Sequence, residues 1–277
     1  MQHFSFSKKG KEWNEDRAYS CDQFSFVIDG ASSLTKQKFS NFTTDAEWYA
    51  NWWCEYLKNS LNDTTKSIMQ ILETGIKMVV ADYQNLAKNV NVEDFPSATI
   101  SIARINGDML EIYVLCDSSI VLSSKNGEIV LIQDTHNVVN DGINAIILKD
   151  FAMRENTTIV EARRNHGDVI LQGRLRKNTP GSYHVLSDNV DAIGYGIYKT
   201  LNISLVDKVM LLSDGFSQVY DTMKIMTHEQ LIERINKISD AENIYDKLYK
   251  KQEKDSNCKK YLRFKIRDDA SIAFMKF

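Results

Sequence analysis

Several carboxylates in this 277-residue chain stand at the edges of apolar runs. Asp29 ends FSFVI (24–28), Asp117 follows EIYVLC (111–116) and Asp214 follows VMLLS (209–213). Asp268 and Asp269 come just before ASIAFMKF, and Glu15 and Asp16 come just before the strand-like RAYSC (17–21). If the runs are strands, their acids could meet at one edge of a sheet or sandwich. Clusters of that kind suit hard divalent cations, because magnesium and manganese prefer oxygen ligands. Unpaired acids held together repel and raise one another's pKa, and a bound cation relieves that conflict. Two such ions about 3.5–4 Å apart can activate a water and clamp a phosphoryl oxygen. The competing reading is local, since Asp-Gly is a common hairpin turn in which both residues tolerate positive φ. Against it, Asp29-Gly30 opens the long polar stretch DGASSLTKQKFS (29–40), and Asp214-Gly215 leads toward a helix. On residue types and spacing both readings stay open.

The elements that must position these acids follow a simple order. Short strands are expected at 3–7, 17–21 and 24–30. A helical stretch follows at 43–61, with a Thr/Asp cap and Trp48, Trp52 and Tyr56 at helical spacing; a face packed on a sheet is the expected use of these aromatics. A second helical stretch at 63–89 carries Ile68, Ile71, Leu72, Ile76, Val79 and Val80 as its buried face. Strand-like segments return at 97–107, 109–124 and 127–134, with hairpins around INGD and KNG. Signals weaken from about 136 to 170: residues 144–157 are ambiguous and 158–168 resemble a short helix. VMLLSDG is the next clear strand, amphipathic helices follow at 227–239 and 241–254, and the chain closes in a strand. Strand runs with grouped helices favour antiparallel sheets covered by helices in one domain, residues 1–277.

Composition narrows the function classes. Hydrophobic residues at 43% and charged residues at 26% describe an ordinary globular protein. A net charge of −3 leaves no electrostatic footprint for nucleic acid. Cys21, Cys54, Cys116 and Cys258 lack CxxC spacing, which points to neither a zinc knuckle nor a disulfide framework. No apolar run approaches ~18 residues and the start lacks an apolar signal region, so no membrane partner and a cytoplasmic location are expected. The histidines, among them His136, His166 and His184, show no HxxxH or HExxH spacing and read as surface or structural. Arg174 and Arg176 read as a solvated loop, with contact to a phosphosubstrate as the alternative.

Six motifs then carry a resemblance. NEDR (14–17), VIDGAS (27–32), SATISIA (97–103), VLCDSSIVL (114–122), VMLLSDGFSQV (209–219) and RDDASIAF (267–274) occur in the order of the PP2C-type (PPM) metal-dependent serine/threonine phosphatases. NTPGSYHVLSDN (178–189) resembles a segment of bacterial members. The resemblance implies an α+β fold, a four-layer α-β-β-α sandwich of two antiparallel β-sheets flanked by helices. It implies a centre of two Mn²⁺ or Mg²⁺ ions and a third, looser one. Asp29 would bridge two ions with the Gly30 carbonyl as a further ligand. Asp214 and Asp268 would complete one shell, Glu15 would serve the other, and Asp16 would ligate or orient water. Asp117 would help the third ion. A metal-bridging water would attack phosphorus in line and displace the serine or threonine oxygen of a phosphorylated protein, releasing phosphate with no phosphoenzyme. Asp29, Asp214 and Lys11 are the expected catalytic set.

Departures accompany the match. Ala31 stands where many members carry a histidine, and Lys11 stands where a phosphate-binding arginine is usual, keeping charge but losing the bidentate fork. Cys116 and Ser119 alter the motif around Asp117, and Asp269 replaces an asparagine, with solvation its expected state and a tighter hold on a metal the alternative. These changes keep a second class of function open, a PP2C-like module that binds a partner without turnover. A third is a phosphatase of small phosphoesters. The oligomeric state is not specified by the sequence.

Overall fold

Alternation along the strands sorts the chain into two sheets. The computed structural model describes residues 1–31, 38–87 and 94–277. Most of the polar stretch after Gly30, and the far end of the second helical stretch beyond Ala87, lie outside the described residues. The strands are β1 (Gln2–Lys8), β2 (Asp16–Ser20), β3 (Phe24–Ala31), β4 (Ser97–Asn106), β5 (Met109–Leu115), β6 (Ser119–Ser124), β7 (Ile129–Gln133), β8 (Ile197–Asn202), β9 (Val206–Leu212) and β10 (Ala270–Lys276). One sheet runs β1-β10-β9-β6-β7 and the other β2-β3-β4-β5-β8, with every pairing antiparallel.

The helices are α1 (Asp45–Ser60), α2 (Ile68–Leu86), α3 (His136–Arg154), α4 (Ile159–Asn165), α5 (Gly167–Arg174), α6 (Asp214–Ser217), α7 (His228–Arg234) and α8 (Ile238–Lys254). Side-chain caps start several of them. Thr44 accepts from the Glu47 N–H at the head of α1, and Ser67 with Gln70 forms a capping box for α2. Helices α1 and α2 cover the outer face of the β2-containing sheet, meeting Phe24, Phe26, Ile28, Ile100 and Ile102. Helices α7 and α8 cover the other sheet, meeting Met210, Leu212, Ile272 and Phe274. Between the sheets Val27, Ile112 and Val114 face Ile120, Val209, Leu211 and Ala273. The order of layers is therefore helix, sheet, sheet, helix.

The face of α1 that meets the sheet is Tyr49, Trp53 and Leu57, one residue round from the aromatics singled out by spacing. Trp48, Trp52 and Tyr56 lie on the flank toward α2: Trp48 packs on Tyr83, Trp52 Nε1 donates to Asp82, and Tyr56 O–H donates to the Ile71 carbonyl. Trp53 is wholly buried, and its ring lies against Gly75 of α2. Trp53→Ala is expected to lower unfolding free energy by about 3–5 kcal/mol and Trp52→Ala by about 1 kcal/mol, read by urea denaturation. Equal losses would contradict this packing.

Three stretches differ from the sequence reading. Residues 109–124 form two strands in different sheets, because the chain crosses over at Cys116, whose φ is 67°. Residues 144–154, ambiguous by pattern, are the second half of α3. Strand β8 was not anticipated; it is a half-exposed edge whose apolar residues, Ile197 and Leu201, are too sparse to signal a strand.

Candidate functional site

The acids gather because strand parity and register aim them at the same end of the sandwich. In β3, Phe24, Phe26 and Ile28 face the helices while Val27 faces the other sheet. A period of two then sends Asp29 to the face between the sheets. Asp16 is the register partner of Asp29 across β2 and β3, so it lies on that face as well. From the second sheet, Leu212 pairs with Ile272, and the Ser213 N–H donates to the Ser271 carbonyl at 3.1 Å. Asp214 follows at the first residue of α6.

There the carboxyls of Asp29 and Asp214 come within hydrogen-bonding reach of each other. Asp16 is buried behind them and accepts from the hydroxyls of Ser213 and Ser271, while its Oδ2 has no partner. Such crowding requires backbones to pass closely. A Cβ on Gly30 would lie 2.6 Å from the Glu15 carbonyl oxygen, and one on Gly215 would lie 1.8 Å from that of Asp269.

Asp269 is not solvated, contrary to expectation. It is 4% exposed and accepts from the Gly10 N–H and the Glu15 N–H, each at 2.7 Å. Its added charge thus anchors the segment that carries Lys11 and Glu15. Glu15 in turn accepts from the Thr44 hydroxyl, the cap of α1, at 2.7 Å. Asp117 sits at the crossover between the sheets and accepts from Asn137 Nδ2 of α3 at 2.6 Å. Asp268 is gripped by Lys265, whose Nζ lies 2.7 and 2.6 Å from its two carboxylate oxygens.

A cavity of about 780 Å³ opens over this end of the sandwich. Lys11, Glu15, Asp29, Gly30, Asp117, Asp214 and Asp268 all line it; Asp16 does not, lying behind Asp29. Arg163, Arg174 and Lys265 add positive charge to its lining. Arg174 is therefore not in a solvated loop: it ends α5 and faces the cavity. Its companion Arg176 donates to Asn140 Oδ1 of α3 at 2.8 Å. Lys265, Arg163 and Asn137 carried no signal in the sequence, because their places depend on how α3–α5 and the segment before β10 fold over the rim. The histidines stay structural: His184 stacks on Tyr195 and His166 on Phe151. Among the described residues, no three His, Cys, Asp or Glu side chains are grouped so as to hold an ion as they stand.

Burial sets the electrostatics. It pushes the Asp16 carboxyl up to about 7, aided by Asp269 and opposed by the Ser213 and Ser271 hydroxyls. Burial also raises Asp29, with Asp16 and Asp214 adding to the effect, and raises Asp214, with Asp268 adding to it. An acid raised in the folded state holds its proton more tightly there than in the unfolded chain. Its contribution is complete below about pH 4 and is lost as pH climbs through the folded value. Chelator-treated protein is thus expected to lose roughly 5–10 °C of Tm between pH 5 and pH 8, with added divalent cation reducing the loss. A Tm that rises over that window would contradict these shifts.

Residues 11–252 match the sequence profile of the family described as Protein phosphatase 2C. The chain belongs to the protein phosphatase 2C family. Solved PP2C structures share its architecture. The serine/threonine phosphatase PstP/Ppp of Mycobacterium tuberculosis aligns with a TM-score of 0.56 at 14% identity, over 100% of this chain and 98% of that one. Stp1, a serine/threonine phosphatase from Staphylococcus aureus, aligns with a TM-score of 0.57 at 12% identity, over 100% and 94%. The PstP catalytic domain in complex with two manganese ions aligns with a TM-score of 0.53 at 14% identity, over 99% and 96%. No curated protein sequence matches it. At these identities the structural likeness speaks for the PP2C fold alone. Among the described residues of this PP2C chain, no helix is long and apolar enough to cross a membrane.

Proposed function

We propose that this PP2C chain is a metal-dependent phosphatase that hydrolyses phosphoserine and phosphothreonine in proteins. The observation that carries the reading is the meeting of Asp29, Asp214 and Asp268, contributed by both sheets, at one cavity. The donors are carboxylates and a backbone carbonyl, the hard oxygen set that suits Mn²⁺ or Mg²⁺. Asp16 Oδ2 has no hydrogen-bond partner, and burial with mutual repulsion makes the ionised forms of Asp29 and Asp214 costly, a conflict that a bound cation would relieve. PstP, of the same fold, binds two manganese ions.

In this reading Asp29, the Gly30 carbonyl, Asp214, Asp268 and Glu15 would hold the ions, Asp16 would ligate or orient water, and Asp117 would assist a third. When bound, the cations supply an activated water and stabilise charge on the phosphoryl oxygens. The chain's own residues bind and orient the substrate. Lys11 places one ammonium at the cavity, and Arg163 and Arg174 bring guanidinium forks to the same space, the donors best shaped for phosphate. Ala31 offers no titratable group, so water or another group at the cavity protonates the leaving serine or threonine oxygen. A cytoplasmic location and a single domain over residues 1–277 belong to the same reading.

One observation favours the second reading, a PP2C-like module that binds without turnover: Lys265 already occupies the Asp268 carboxylate. Hydrolysis of p-nitrophenyl phosphate and of a phosphothreonine peptide, with and without Mn²⁺, separates the two. Metal-dependent turnover of both substrates is expected. Absence of turnover of either would sink the enzyme reading, and turnover of the aryl ester alone would point to small phosphoesters.

A further inference from the structure

The pair formed by Lys265 and Asp268 bears on how the site takes up ions, and the inference rests on the metal-centre reading above. Asp268 presents both carboxylate oxygens to one ammonium, at 2.7 and 2.6 Å. The two residues are three apart on the irregular segment that leads into β10, so the contact is local and short. Both side chains line the cavity, and neither is sealed from it: the lysine side chain is 32% exposed and the aspartate 20%. Burial works against the lysine's charge, but Asp268 and Asp214 outweigh it and hold the ammonium charged. Arg163, on α4, is a further cation in the field of Asp268.

We propose that Lys265 is a built-in counter-cation that competes with a divalent ion for Asp268. It makes the two ion positions unequal. The position served by Asp29 and Glu15 does not draw on Asp268, so this competition leaves it untouched and it is expected to fill first. The position that needs Asp268 fills only when the ion displaces Lys265. An ammonium on both oxygens takes one lone pair of each and sets a like charge beside the carboxylate, so a cation must displace it to bind Asp268 with both oxygens. Removing its ammonium takes away both hydrogen bonds to Asp268 and the like charge that a divalent ion would meet there.

Calorimetric titration of Mn²⁺ into chelator-treated full-length protein tests this without reference to turnover. The parent is expected to take up one ion tightly and a second weakly. Lys265→Met is expected to tighten the second about ten- to a hundredfold and leave the first unchanged. Lys265→Arg, which keeps the charge, should behave as the parent. Asp268→Asn should lose the weak ion and keep the tight one, which tests the assignment even if the Lys265 variants fold poorly. An unchanged isotherm for Lys265→Met, or loss of the tight ion in Asp268→Asn, would overturn the proposal while leaving the metal centre intact. No Mn²⁺ uptake by any of these proteins would instead overturn the metal-centre reading and this proposal with it.

Discussion

Replacing Asp29 by asparagine is expected to lower Mn²⁺-dependent hydrolysis of p-nitrophenyl phosphate by at least roughly 10²–10³-fold while raising the Tm of the metal-free protein. The two effects have one source. Asp29 is buried beside Asp16, Asp214 and Asp268, and each neighbour makes its ionised form harder to hold. The amide keeps the shape, removes a charge that the fold must otherwise suppress, and can still share a hydrogen bond with Asp214. Near neutral pH the metal-free variant should gain several degrees, since strained acids in a working site oppose stability. The same amide is a poor ligand for a hard cation, so the stabilisation that Mn²⁺ gives the parent should shrink or vanish. Activity and Tm with and without Mn²⁺ check both halves. A variant that keeps a tenth of the parent's activity would remove Asp29 from the chemistry.

Gly215→Ala is expected to have the largest effect on folding of any glycine-to-alanine change in the chain. The new Cβ would lie 1.8 Å from the Asp269 carbonyl oxygen, a backbone atom that cannot rotate aside. Either α6 or the segment before β10 must move, and these carry Asp214 and Asp268. Destabilisation of about 3 kcal/mol, the upper end for overpacking, should accompany loss of activity. Gly142→Ala supplies the contrast: it lies within α3, nothing stands within 4 Å of its Cβ, and a gain of up to about 1 kcal/mol is expected. Urea denaturation of both variants gives the comparison. Equal stabilities would mean that the close passage at Gly215 is not a feature of the folded state.

The parts legible from sequence were those governed by local periodicity. β3 and β9 each pair an apolar run with a terminal aspartate, and α2 and α8 carry one buried face at helical spacing. Helix α3 was faint because much of its apolar surface does not join a core. Val139, Ile146 and Met153 are exposed while Leu148 and Ala152 are buried, so no single stripe stands out. The crossover at Cys116 was hidden by its neighbours, since an apolar run reads the same whether or not one residue turns left-handed. Asp16 and Asp29 take their places by strand parity, and Asp117, Asp214 and Asp268, named in advance from the ends of apolar runs, line the cavity beside Asp29. Asp269 could not be placed, because what buries it is a pair of N–H groups more than 250 residues away. Lys265 was missed for a related reason: a lysine in an irregular polar segment looks solvated unless the cavity it lines is known.

The chain's passage from one sheet to the other at Cys116 has a consequence for assembly. Asp16 and Asp29 belong to the sheet before the crossing, and Asp214 and Asp268 adjoin the sheet after it. In the proposed metal-centre reading neither sheet alone would possess a complete set of ligands, so an intermediate with only one layer formed would have half a site. Ion uptake would thus report the docking of the layers rather than the formation of either. Any divalent cation bound there would slow their separation more than fraying within a layer. In refolding experiments, ion sensitivity is expected to appear late, together with protection of amides in both β3 and β9.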